Sequence, residues 1–135
     1  AFSQDPLARD RIEQLAMEAV IRAEEAMGHS PRDVSAQKLG WDITSHPPVI
    51  DGRMPEARLI EVKGRAKGAP TVTVTKNEIL TALNKPDQFL LAVVLVDEAE
   101  AVEGPYYVSR PFTQAPDWNE ESRAISLDAL IARAL

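Results

Sequence analysis

A chain of 135 residues is the length of one domain and is long enough to bury a single core. The composition, 44% hydrophobic and 27% charged with no cysteine, is that of an ordinary globular protein; it excludes disulfides and thiolate zinc sites and fits a cytoplasmic chain. The net charge of −6, from 15 basic and 21 acidic residues, argues against tight non-specific binding of nucleic acid by the domain as a whole, because phosphate affinity comes from Lys and Arg.

The longest apolar run, Phe89 to Val96, is of strand length and far short of the ~18 residues of a membrane span, so no membrane partner is expected. The N-terminus is charged and amphipathic and does not resemble a signal peptide. The chain begins at Ala1 without a methionine and is expected to be the C-terminal part of a larger protein, with residues 1–135 forming one domain.

Asp5-Pro6 reads as an N-cap with proline in the first turn, opening a helix that runs to about Met27 and stops at Gly28. Ile12, Ala16, Val20, Ala23 and Met27 share its apolar face, widened by Met17 and Ile21. Glu24 and Glu13 fall inside that arc. A carboxylate there must be paired with a base, linked to a metal or protonated, because a lone buried charge is too costly. A turn at His29-Ser30-Pro31 and a short extended piece near Asp33-Val34 follow. Trp41 to Ser45 alternates as a strand with Asp42 and Thr44 on one face. Asp51-Gly52 signals a hairpin turn, and Arg58 to Lys63 is the return strand.

Thr71 to Val74 reads as a further strand. Thr75-Lys76-Asn77-Glu78 matches a capping box, so a helix opens there and ends before Pro86. Phe89 to Val96 is a strand buried on both faces, Asp97 to Gly104 an acidic loop, and Tyr106 to Val108 an edge strand. Ser126 caps a final helix from Leu127 to Ala134. This order predicts an α/β sandwich with a mixed sheet.

The chain has no Gly-rich phosphate loop, no HExxH and no GxSxG. Its chemistry is concentrated in Glu61-Val62-Lys63-Gly64. Residues two apart on a strand share a face, so Glu61 and Lys63 project together while Ile60 and Val62 anchor the strand from the other side. A two-residue turn at Asp51-Gly52 would set Asp42 directly opposite Glu61. Like charges in that position destabilise a sheet unless something compensates, and a divalent cation does so directly. Asp42, Glu61 and the Val62 carbonyl would then hold Mg²⁺ or Mn²⁺, and Lys63 would orient water or stabilise developing charge on a phosphate. Glu24 would reach in from the helix, and Gly64 would admit a phosphate backbone. From Glu61 to Lys85 five bases face two acids, a local excess of positive charge beside the site. Within it Arg65, Lys67, Lys76 and Asn77 are the candidate nucleic-acid contacts. His29 and His46, flanked by Ser and Pro, read as surface residues.

Six segments carry a resemblance: Ala23-Glu24-Glu25-Ala26-Met27-Gly28, Arg32-Asp33-Val34-Ser35, Leu39-Gly40-Trp41-Asp42-Ile43, Ile60-Glu61-Val62-Lys63-Gly64-Arg65, Val74-Thr75-Lys76-Asn77-Glu78 and Phe89-Leu90-Leu91-Ala92-Val93-Val94. In order and spacing they resemble the NO VEIN C-terminal domain family, found at the ends of bacterial superfamily-2 helicases and other large ATPases. That family looks like a branch of the PD-(D/E)XK nucleases. The resemblance implies a three-layer αβββαβ restriction-endonuclease-like core. It puts Asp42, Glu61 and Lys63 on the three motif positions and Glu24 on the acidic helix position, with Trp41 where a tyrosine is usual. It implies a magnesium-dependent nuclease-like domain acting on DNA delivered by a helicase or ATPase, in restriction, repair or phage defence. Two other readings stay open: a catalytically inactive module on the same fold that binds nucleic acid or protein, and a structural domain whose polar cluster is an ion-pair network.

Overall fold

The computed structural model describes residues 5–135. Helix α1 (Pro6–Ala26) begins as its sequence dictates: the Asp5 carboxylate accepts the Leu7 N–H at 2.9 Å, and Pro6 occupies the first turn. The buried residues are Ile12, Ala16, Val20 and Glu24, a row at a spacing of four. Glu24 therefore takes the fourth place in the buried row, and Met27, expected to face inward, is 47% exposed.

Strand β1 (Ser30–Asp33) pairs antiparallel with β2 (Ile43–His46). Ser30 and Pro31 were expected in a turn; they extend along the edge of the sheet, where a proline lacking its N–H does no harm. A single 3₁₀ turn, Ser35–Gln37, leads back to β2. The hairpin from β2 to β3 (Arg58–Ala66) turns at Asp51-Gly52, both with positive φ, inside an Ile50–Arg53 bridge. Its pairs are Ile43 with Ile60, Thr44 with Leu59 and Ser45 with Arg58, the register that the two-residue turn predicts.

After β3 comes β4 (Thr71–Thr75), then α2 (Lys76–Asn84), opened by a complete Thr75/Glu78 capping box. This crossover returns β5 (Phe89–Val96) parallel to β3. Strand β6 (Val102–Ser109) pairs antiparallel with β5 at the far edge and starts four residues before the expected edge strand. An unforeseen strand, β7 (Ser122–Ser126), pairs with β4 in a separate two-stranded sheet and leads into α3 (Leu127–Ala132). The main sheet is mixed, in the order β1-β2-β3-β5-β6. Among the described residues no helix is long and apolar enough to cross a membrane.

Side chains of β5 alternate between two cores, and all eight of its residues are buried. Leu90, Ala92, Val94 and Val96 join Ile43, Ile60 and the α1 row. Phe89, Leu91, Val93 and Leu95 join Val72 and Val74 of β4, Ile79 of α2, and Leu127 and Leu130 of α3. The result is three layers, with α1 on one face of the sheet and α2, α3 and the small sheet on the other.

Gly64 has a packing role that the sequence did not signal. A Cβ there would lie 2.8 Å from the Ala16 Cβ and 3.1 Å from the Ile12 carbonyl. The absent side chain lets α1 settle onto β3. Gly64→Ala is expected to lower stability by about 1–3 kcal/mol through overpacking against a helix backbone. The check is the shift in the urea unfolding midpoint at unchanged slope.

Candidate active site

Along β3, Ile60, Val62 and Gly64 face α1, while Glu61 and Lys63 face the α2 layer. Asp42 stands immediately before β2. Its N–H donates to the Ile60 carbonyl at 2.9 Å, and its carboxylate accepts the Val62 N–H at 2.9 Å. The side chain thus satisfies β3 where β2 stops, and it arrives oriented beside Glu61. The approach depends on Gly40, at φ +100°, where any Cβ would collide with the Thr81 side chain of α2.

Glu61 is 5% exposed. The Lys63 ammonium lies 3.4 Å from Glu61 and only 2.9 Å from Glu78, with side chains 16% exposed for Lys63 and 15% for Glu78. Glu78 also accepts the Thr75 N–H at 2.9 Å and is therefore held by the capping box. Three carboxylates and one ammonium share this region, and the charges are not balanced. Burial, then the charges of Asp42 and Glu78, push the Glu61 carboxyl up to about 10. Burial also raises Asp42, against the opposing Val62 N–H and Lys63 charge. For Lys63, burial alone would lower the ammonium, but Glu61 and Glu78 outweigh it and the net shift is upward. For Glu78, burial is outweighed by hydrogen bonding with Glu61 and the charge of Lys63, and the net shift is downward.

Asp42, Glu61, Val62, Lys63, Arg65 and Lys67 all line one cleft of about 1340 Å³, with Arg9 and Glu13 of α1 at its rim and Asp97 and Glu98 closing another side. Glu13, suspected inside the apolar arc, is exposed there. Lys67 pairs with Glu103 at 3.3 Å. Lys76 and Asn77 are elsewhere: they line a separate depression with Thr75, Leu80 and Glu121.

Glu24 is not brought to the cleft. It lies under the opposite face of the sheet, because α1 runs antiparallel to β3: Ile12 and Ala16 meet Gly64, and Glu24 meets Arg58. With 0% exposure, its carboxylate accepts two bonds from the Arg58 guanidinium, at 2.8 and 3.1 Å, one from the Tyr107 hydroxyl at 2.7 Å, and lies 3.0 Å from His29 Nδ1. Arg58 also stacks over the Tyr107 ring, 5.3 Å from its centroid. Burial would raise Glu24, but Arg58, Tyr107 and His29 prevail and hold it at about 2. His29, expected on the surface, is half-buried in this network, whereas His46 is exposed as expected.

The residue that sequence reading passed over is Glu78. Its capping-box role was legible, but nothing local says that the first turn of α2 stands above Lys63.

Fold and site together define an α/β domain with an acid–acid–lysine cluster in an open cleft. The sequence model of the family described as Protein NO VEIN, C-terminal, matches residues 12–108, and the chain belongs to that family. No curated protein and no solved structure matches the chain.

Two stability predictions follow from the opposed carboxylates. Glu24, depressed from a usual value of roughly 4.3, contributes stability that is whole above that value and lost as pH falls toward about 2. Glu24→Gln is expected to cost about 2–4 kcal/mol at pH 7, with the gap to wild type closing near pH 2, as read by urea unfolding across pH. Glu61 has the opposite sign: between its unfolded and raised folded values the native state keeps a proton that the unfolded chain has released, so stability falls as pH rises. Glu61→Gln is expected to be more stable than wild type at pH 8, by a margin that shrinks toward pH 4.

Proposed function

We propose that this domain is a magnesium- or manganese-dependent nuclease-like domain acting on DNA, with Asp42 and Glu61 as metal-holding carboxylates and Lys63 as the catalytic lysine. The observation that carries the reading is the Asp42–Glu61 pair: two carboxylates crowded in a cleft, one oriented by a backbone N–H, the other buried with its carboxyl pushed up by burial and by the neighbouring acids. A hard divalent cation is the partner such oxygens fit. Among the described residues no three His, Asp or Glu side chains gather in metal-holding geometry. The donor set is therefore two carboxylates and the Val62 carbonyl, with water and phosphate completing it. When bound, the cation supplies a Lewis acid that lowers the pKa of a coordinated water. Lys63 would orient that water or offset charge on the phosphate, and Arg65 and Lys67 along the cleft would hold the backbone of the strand. Lys76 and Asn77 are left out of this contact path by their separate depression.

The element order supports a PD-(D/E)XK relationship: a helix, a three-stranded antiparallel unit carrying the acids and the lysine, a crossover helix, and a strand parallel to the third, with helices on both faces. Delivery of DNA by a fused or associated helicase or ATPase, in a cytoplasmic restriction, repair or defence system, completes the proposal. It accommodates a net charge of −6, since affinity would come largely from the partner. A second reading, an inactive nuclease-fold module that binds nucleic acid or protein, is favoured by that same net charge, which gives the domain itself little affinity for phosphate.

Titration calorimetry with Mn²⁺ and cleavage of plasmid and linear DNA separate the readings. Wild type is expected to bind Mn²⁺ and cut. Asp42→Asn and Glu61→Gln are expected to lose both, and Lys63→Met to keep binding while cleavage falls about 100-fold or more. Wild-type protein that binds no Mn²⁺ and leaves every DNA form intact, with its ATPase partner present, would overturn the nuclease assignment.

A further inference from the structure

We propose that Glu78 is a positioning residue of the site: from the first turn of α2 it holds the Lys63 ammonium by the shorter of its two carboxylate contacts and so sets where the ammonium stands beside Glu61. The functional consequence rests on the nuclease reading; the positioning itself does not. The motif alone would pair Lys63 with Glu61, its neighbour on the same strand face. The shorter contact runs to Glu78 instead, 2.9 Å against 3.4 Å, across 15 positions of sequence. Both partners are largely withdrawn from water, where a charge-assisted hydrogen bond is stronger than on an open surface.

Glu78 is also unusually well fixed for a glutamate. Its Oε1 accepts the Thr75 N–H at 2.9 Å, and its own N–H donates to the Thr75 hydroxyl at 3.2 Å. The next residue, Ile79, is fully buried in the core that also holds Leu91 and Val93 of β5. Strand β5 is hydrogen-bonded in register with β3, placing Leu91 beside Glu61 and Val93 beside Lys63. The ammonium is therefore located by a closed path: strand, neighbouring strand, core, helix, cap, carboxylate. Without the Glu78 charge the contact left to the ammonium is the longer one to Glu61, and the lysine would close on the oxygens a cation needs.

The test compares Glu78→Gln with Thr75→Ala in the full chain. Glutamine keeps the capping box and removes the charge; Thr75→Ala weakens the cap and keeps the charge. A ¹H–¹⁵N spectrum of side-chain ammonium groups reads the lysine directly. The Lys63 signal is expected in wild type and in Thr75→Ala, and is expected to be lost to water exchange in Glu78→Gln. In cleavage assays Glu78→Gln is expected to lower kcat about 100-fold at little changed KM for DNA, the scale of a misplaced catalytic group. A signal that persists in Glu78→Gln but vanishes in Glu61→Gln would overturn the proposal, as would equal kinetic damage from Thr75→Ala. If wild type cuts no DNA, the nuclease reading falls and the ammonium spectrum alone decides the role of Glu78.

Discussion

A β-strand hands alternate side chains to opposite faces of its sheet, and β3 puts two incompatible chemistries on those faces. On the α1 face Ile60, Val62 and Gly64 receive a helix pressed close enough that no Cβ fits at Gly64. On the other face Glu61 and Lys63 stand between the sheet and α2. Neither arrangement tolerates a slip of one residue, which would drive Glu61 into α1 and Ile60 into the cleft. The tight turn at Asp51-Gly52 and the parallel pairing with β5 fix that alternation, and α1, α2 and Asp42 are positioned by it.

The two faces deal with a buried carboxylate in opposite ways. Glu24 is met by a guanidinium, a phenol and an imidazole, and the ionised form is stabilised. Glu61 is met by two further carboxylates and a lysine that leans toward one of them, and the ionised form is penalised. The first arrangement ties α1, β3 and β6 together and has no room for a ligand. The second leaves electrostatic frustration facing a cleft, the condition in which a site costs stability and gains the capacity to bind.

Much of this was legible in the residues. Alternation and a two-residue turn were enough to set Ile43 opposite Ile60 and so bring Asp42 to the end of the ladder beside Glu61, because hairpin register follows from turn length. The caps of α1 and α2 and the doubly buried β5 carry local signals that survive folding unchanged. Glu24 was singled out correctly as a carboxylate needing a partner, but helical periodicity places a residue on a face and says nothing about which strand residue lies below it. Arg58 and Tyr107, 34 and 83 positions away, are brought to it by the sheet order alone. Glu78 escaped for the same reason, as did β7: Ser122–Ser126 is half polar and pairs only because the chain returns to β4. At Gly64 the close approach of α1 left no mark in the sequence, because the helix that presses on it lies about 50 positions away.

Strand β5 joins both cores, and so its full burial depends on layers formed from distant parts of the chain. Its pairing with β3 is non-local, closed only after β4 and α2 have been traversed, and such contacts are slow to form. Until then Phe89–Val96 is an uninterrupted stretch of β-favouring apolar residues, the kind of segment that associates with copies of itself. Its flanks are charged: Lys85 and Asp87 precede it, and Asp97 and Glu98 follow. These residues stand where gatekeepers stand in natural sequences, and their charge opposes the self-association of a strand that the finished domain hides completely.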